Sequence, residues 1–177
     1  LRMSRGLGDV YKRQEYILLL TACINPDGMP FTCLADVGVR KKQYIEALNF
    51  YLKNTTRKIV FVENSGTDIS SSFKDFQHRI EFLCFDGNLC FDKRKGKGYG
   101  EALILEYAMA KSEFITDDVL IFKLTGRLQL ININRLIHYM DKLSPSKNFV
   151  CVVPPQNNSV DSRCFVCNKY YIWRISF

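Results

Sequence analysis

Short apolar, strand-like runs alternate along this chain with amphipathic helical segments, and that alternation narrows the fold to an α/β sheet. Residues 15–24 read as a buried strand that ends at Asn25-Pro26-Asp27-Gly28. From Val39 to Lys53 the period becomes helical, with Tyr44, Ile45, Leu48, Tyr51 and Leu52 on one side and Arg40, Lys41, Lys42, Glu46, Asn49 and Lys53 largely on the other. Strands follow over 58–63, 79–85, 118–124 and 149–153, and residues 164–173 are strand-like. Between them lie a weak turn over 67–76 capped by Asp68 or Ser70, a helix from Gly100 or Glu101 to Lys111, and a helix over 134–143. Strand, helix, strand at this spacing predicts a mostly parallel sheet covered by helices on both faces.

The first 14 residues are set aside from that reading. The codons of Asp9-Val-Tyr-Lys-Arg-Gln14 resemble a transposase adaptor used to make sequencing libraries, so residues 1–14 are expected to be non-native. Residues 15–177 are then expected to form one domain, and the ending on Trp173-Arg-Ile-Ser-Phe177 without a clear terminal helix leaves truncation open. The chain carries +7, but without Arg2, Arg5, Lys12, Arg13 and Asp9 it has 21 basic and 17 acidic residues. That modest excess, with no interleaving of basic and aromatic residues, argues against a nucleic-acid groove. Lys12-Arg13 before Tyr16–Cys23 imitates a secretory signal, yet its basic part belongs to the adaptor and its apolar run is short, so a buried first strand is expected. The expectation is a cytoplasmic protein, with contact at the inner face of a membrane left open.

Seven cysteines, an odd number sitting mostly in apolar runs, call for no disulfide framework and suit a reducing compartment. Cys164-Phe-Val-Cys167 lacks a second pair and lies in a strand-like segment, which favours packing over zinc or redox duty. His78 and His138 carry no triad signal and read as surface residues. No serine stands in a nucleophile-elbow context, which counts against an acyl hydrolase.

In a sheet of this kind ligands bind at the carboxyl ends of the strands, and four of those ends are polar here: Asn25-Pro-Asp-Gly, Glu63-Asn-Ser-Gly, Asp86-Gly-Asn and Thr125-Gly-Arg. Alternation along the fourth strand puts Val119, Ile121, Lys123 and Thr125 on one face, so Lys123 interrupts an apolar surface. Such a lysine either pairs with a neighbouring carboxylate or meets an anion, and Arg127 lies just beyond it. Lys95-Gly-Lys-Gly-Tyr-Gly-Glu101 matches neither a Walker A loop nor a dinucleotide fingerprint. It is either a flexible basic loop or a phosphate cradle, in which Lys97, Gly98, Gly100 and Glu101 would meet phosphate at a helix amino end. Glu63 and Asn64, or Asp86 and Asn88, are candidates for the base and ribose, and Asn25 for the same crevice. These features together suit a diphosphate and lead to the expectation of a nucleotide-sugar enzyme.

Six segments in order resemble one family: Leu18–Gly28, Arg40–Tyr51, Ile59–Asp68, Gly96–Ala102, Lys123–Arg127 and Asp161–Arg163. They are similar to bacterial glycosyltransferase-like proteins of surface-polysaccharide biosynthesis. The resemblance implies a GT-A-like, Rossmann-like architecture that binds a nucleotide-diphospho-sugar. It also implies transfer of the sugar to a polysaccharide or lipid-linked acceptor of a capsule or lipopolysaccharide. Enzymes of that type commonly carry Asp-x-Asp where this chain has Lys-Leu-Thr-Gly-Arg, so no metal ligand is assigned and dependence on manganese or magnesium stays open. Lys123 and Arg127 are expected to neutralise the leaving diphosphate in the metal's place. Asp161 is expected to act as general base, the alternative being a loop aspartate paired with Arg163. A nucleotidyltransferase, another nucleotide-phosphate enzyme, or a non-catalytic or truncated nucleotide-binding protein are the competing readings.

Overall fold

The computed structural model describes residues 15–29, 32–87, 92–142, 149–151 and 161–175. Residues 1–14, Asn88, Cys90 and the end of the expected fifth strand at Val152 and Val153 lie outside the described residues. The elements run β1 (Tyr16–Ala22), α1 (Val37–Asn54), β2 (Lys58–Glu63), a 3-10 turn (Ser70–Phe76), β3 (Ile80–Cys84), a short 3-10 turn (Lys93–Lys95) and α2 (Gly96–Lys111). They continue with β4 (Leu120–Thr125), α3 (Ile133–Met140), β5 (Phe149–Cys151), β6 (Cys164–Asn168) and α4 (Lys169–Ile175). The α/β class is the one expected.

One six-stranded sheet has the order β3-β2-β1-β4-β6-β5. β3, β2, β1 and β4 are mutually parallel, while β6 runs antiparallel to both β4 and β5. The chain winds outward from β1 through β2 to β3, then returns to place β4 on the other side of β1. That reversal leaves a crevice beyond the carboxyl ends of β1 and β4, where no crossover covers them.

Two cores flank the sheet. Leu18, Leu20, Ile59, Phe61, Phe122, Leu124 and Val166 pack with Tyr44, Leu48 and Tyr51 of α1 and Ile133, Ile137 and Met140 of α3. Ile17, Leu19, Val60, Val62, Ile121, Phe165 and Cys167 pack with Ile104, Leu105, Ala108 and Met109 of α2 and Ile172 of α4. Burial of each large side chain stabilises by about 1.5–3 kcal/mol, and period-two strands between two helical layers place such side chains on both faces. Cys164 belongs to the first layer and Cys167 to the second, so the CxxC pair points to opposite sides of β6 and cannot share a metal. Cys23, Cys33, Cys84, Cys151, Cys164 and Cys167 are free thiols.

Two boundaries differ from expectation for physical reasons. The segment 164–173 divides at Asn168, whose side-chain oxygen accepts the amide of Tyr171 at 3.2 Å and starts α4. Helix α2 begins a full turn early, so Gly96 to Gly100 are helix rather than connection. Each interior glycine costs about 1 kcal/mol of helix propensity. The packing of buried Gly100 and its neighbours over the sheet overrides that cost. Gly96 itself has φ +80°, a left-handed turn that lets the chain pass from the 3-10 turn into α2. Among the described residues, no helix is long and apolar enough to cross a membrane.

Candidate functional site

The crevice holds a cavity of about 360 Å³. Its walls come from the ends of β1 (Thr21, Ala22, Cys23), β2 (Asn64) and β4 (Thr125, Arg127), from the loop after β1 (Pro26, Met29, Cys33, Leu34), and from one stripe of α2. That stripe is Lys97, Gly100, Glu101 and Ile104, the i, i+3, i+4, i+7 spacing of a single helix face. β2 and β4 flank β1, so Asn64 and Arg127 stand on opposite sides of the opening, about 10 Å apart by strand spacing.

Of the residues expected at the site, Asn64, Lys97, Gly100, Glu101 and Arg127 line this cavity. Arg127 follows Gly126, whose N–H donates to the Thr21 carbonyl at 2.8 Å and where a β-carbon would lie 2.9 Å from that same oxygen. Only a glycine allows the end of β4 to lie that close to β1. Arg127 is exposed and has no hydrogen bond or ion pair among the described residues. Asn64 is fixed through its backbone, which donates to Ala22 and accepts from Gly87, yet its side-chain oxygen is buried without a hydrogen-bond partner. Helix α2 opens on Lys95 with no side-chain cap, so its first amides are not claimed by a capping side chain.

The other expected residues are placed elsewhere. Lys123 is fully buried, and its ammonium donates to the Glu101 carboxylate and the Ser162 carbonyl while lying 5.6 Å from the Phe165 ring centroid. The pairing alternative for Lys123 is therefore the one found; it lies behind the cavity wall rather than on it. Asp161 forms a two-oxygen pair with the Arg163 guanidinium at 2.7–3.1 Å, and it also accepts the Arg163 amide. The Arg163 side-chain hydrogen bonds, joined by that amide, hold the Asp161 carboxyl down at about 2. Asp161 is not among the residues lining the cavity.

Glu63 is buried and serves the loops. Its carboxylate accepts the amides of Ile24 at 2.8 Å, Ser65 at 2.8 Å and Thr67 at 2.9 Å, with the Ser65 hydroxyl as a further donor. It therefore stitches the end of β1 to the β2–β3 connection. Asn25 donates its amide to Ser65 and accepts from Asp27, which shapes the turn at the crevice lip. Asp86 is exposed and bridges Ser65 through the backbone, and Gly98 is exposed with open space around it. None of these four lines the cavity.

Arg40, expected on the outer side of α1, faces inward. It is nearly buried, and its guanidinium donates to the carbonyls of Cys23, Ile24 and Leu34, so it ties the loop after β1 to the cavity. The signal was present, because Arg40 extends the stripe Tyr44, Ala47, Leu48, Tyr51 by one turn. The Tyr44 hydroxyl accepts the Cys23 amide at 3.1 Å, and burial pushes its pKa up. Burial likewise raises that of the Cys23 thiol. Among the described residues no group of three His, Cys, Asp or Glu side chains is placed to hold a metal ion.

No family model matches the chain. No curated protein matches it either. Among solved structures it is similar to a 4-diphosphocytidyl-2C-methyl-D-erythritol synthase, at 12% identity over 88% of this chain and 76% of that one, with a TM-score of 0.45. It is also similar to a cytidylyltransferase from Leptospira borgpetersenii serovar Hardjo-bovis (strain JB197), at 14% identity over 91% of this chain and 63% of that one, with a TM-score of 0.47. The glycosyltransferase expectation is corrected here, because these neighbours are a diphosphocytidyl synthase and a cytidylyltransferase, and neither is a glycosyltransferase.

Proposed function

We propose that this chain is a nucleotide-phosphate enzyme of the nucleotidyl-transfer type, with a nucleoside triphosphate in the crevice between the ends of β1 and β4. The observation that carries the reading is the polarity of that cavity. Lys97, the uncapped amino end of α2 and Arg127 supply positive charge to its lining. The Asn64 amide and the apolar Pro26, Met29 and Leu34 give the same cavity lining suited to a flat base. Cations and helix amides bind phosphate oxygens through charge-assisted hydrogen bonds of about 1.5–3 kcal/mol each. An unpaired amide beside apolar side chains can take the edge of a base.

In the reaction, an acceptor oxygen, most simply that of a phosphomonoester, forms a bond to the α-phosphorus. The bond from the α-phosphorus to the bridging oxygen breaks, and pyrophosphate leaves with the electron pair. Arg127 and Lys97 bear the charge that builds on the leaving group. Arg40 and Glu63 hold the loop after β1 so that the lining beside the base keeps its shape. Glu101, the carboxylate on the wall, already holds Lys123, so these residues do not make a resident metal site; magnesium enters with the triphosphate as part of the substrate.

Thermal-shift titration with nucleoside mono-, di- and triphosphates, each with and without magnesium, tests the reading. A triphosphate with magnesium is expected to protect best, and pyrophosphate release should follow addition of a phosphomonoester acceptor. Arg127→Ala and Lys97→Ala are each expected to weaken triphosphate binding about tenfold, the loss of one charge-assisted contact. Absence of any concentration-dependent protection by a triphosphate overturns the proposal.

A further inference from the structure

We infer that Glu101 is a specificity-determining residue: it excludes phosphate from the inner end of the cavity and reads a hydroxyl group of the ligand there. The inference rests on the nucleotide reading above.

Glu101 lies one turn after Lys97 on the crevice-facing stripe of α2, between Thr21 of β1 and buried Lys123 of β4. One of its oxygens accepts from the Lys123 ammonium and, at 3.3 Å, from the Thr21 hydroxyl. The other oxygen takes no part in either of these bonds. The side chain is 26% exposed, whereas that of Lys123 is 0% exposed. A ligand in the cavity therefore meets the carboxylate and cannot touch the lysine. The ammonium is also anchored to the Ser162 carbonyl, so it cannot turn toward the ligand without giving up that bond.

The chemistry at this point is selective. A carboxylate oxygen repels a phosphate oxygen at contact distance, and it has no proton to offer. It accepts hydrogen bonds from O–H or N–H groups. Phosphate is then confined to the reach of Lys97 and Arg127, and the group set against Glu101 must be a donor. In a nucleoside triphosphate the donors nearest the phosphate chain are the ribose hydroxyls. The cavity thus selects a ribonucleotide over its dideoxy analogue, and a nucleotide over an inorganic polyphosphate.

Binding of three probes decides the matter: a ribonucleoside triphosphate, its 2′,3′-dideoxy analogue and inorganic tripolyphosphate. The wild-type chain is expected to prefer the ribonucleotide to the dideoxy analogue about tenfold or more, as one hydrogen bond to a charged acceptor implies. Glu101→Gln is expected to tighten tripolyphosphate binding severalfold. Because that variant leaves a buried ammonium unpaired, the double variant Glu101→Leu/Lys123→Met removes both charges together, a change buried pairs tolerate better than the loss of one partner. In the double variant the preference for the ribonucleotide is expected to fall to within about threefold, since the charged hydrogen bond is gone. Lys97→Ala serves as control and is expected to weaken all three probes alike. Binding in which the double variant leaves the ribose preference unmoved overturns this inference alone. Failure of every triphosphate to bind the wild-type chain overturns the nucleotide reading and this inference with it.

Discussion

Single residues around the crevice divide into those facing the cavity and those that hold the loops. Glu63 is of the second kind, with three backbone amides converging on its carboxylate. Glu63→Ala leaves those amides unpaired in the interior, and stability to urea is expected to fall by about 3 kcal/mol or more. Asp161 shows a different balance. Its folded pKa of about 2 lies below the ordinary aspartate value, so it favours the folded state above the unfolded value, and that contribution is lost as pH falls through about 2. A carboxyl titration followed by NMR should place the Asp161 midpoint near 2. Arg163→Leu should return that midpoint toward the ordinary range.

At the scale of elements, α2 departs furthest from what its residues favour locally. Glycines 96, 98 and 100 would ordinarily keep the chain out of a helix, and helix propensity accordingly predicts a start at residue 100 or 101 rather than the Gly96 observed. The glycines are not equivalent. Gly96 adopts a left-handed φ of +80°, while Gly98 is an interior helix position with open space where a β-carbon would go. Gly98→Ala is therefore expected to stabilise the chain by up to about 1 kcal/mol, and Gly96→Ala to destabilise it by about 1–2 kcal/mol. Paired thermal melts check the opposite signs. The strands were more legible: β2 matches its expected bounds, and β4 places its two faces in separate cores as the period of two requires. Strand pattern survives because each strand is buried on both sides by its own side chains. The amino end of α2 depends instead on what Gly100 packs against.

For the whole molecule, the reversal of winding at β1 decides where a ligand can enter. A ligand bound there ties β1, β4 and α2 together, so its effect appears as global stabilisation. A triphosphate at one hundred times its dissociation constant is expected to raise the unfolding free energy by about 2.7 kcal/mol, and the shift in melting temperature should follow the logarithm of ligand concentration. A dye-monitored melt series across three decades of concentration checks both statements.

Periodicity and residue type were enough to establish the α/β class, most strand positions, the anomaly of Lys123 within an apolar face, and the polar strand ends from which the crevice is built. These are local properties, written in the spacing of neighbours along the chain. Which group answers Lys123 and which loop carbonyls Arg40 reaches were decided only when the elements packed, whereas the Asp161–Arg163 pair is a contact two residues apart within one loop. The Glu101–Lys123 pair depends on the distance between side chains from different elements, and the packing of α2 over β1 and β2 brings Glu101 within reach of the long Lys123 side chain.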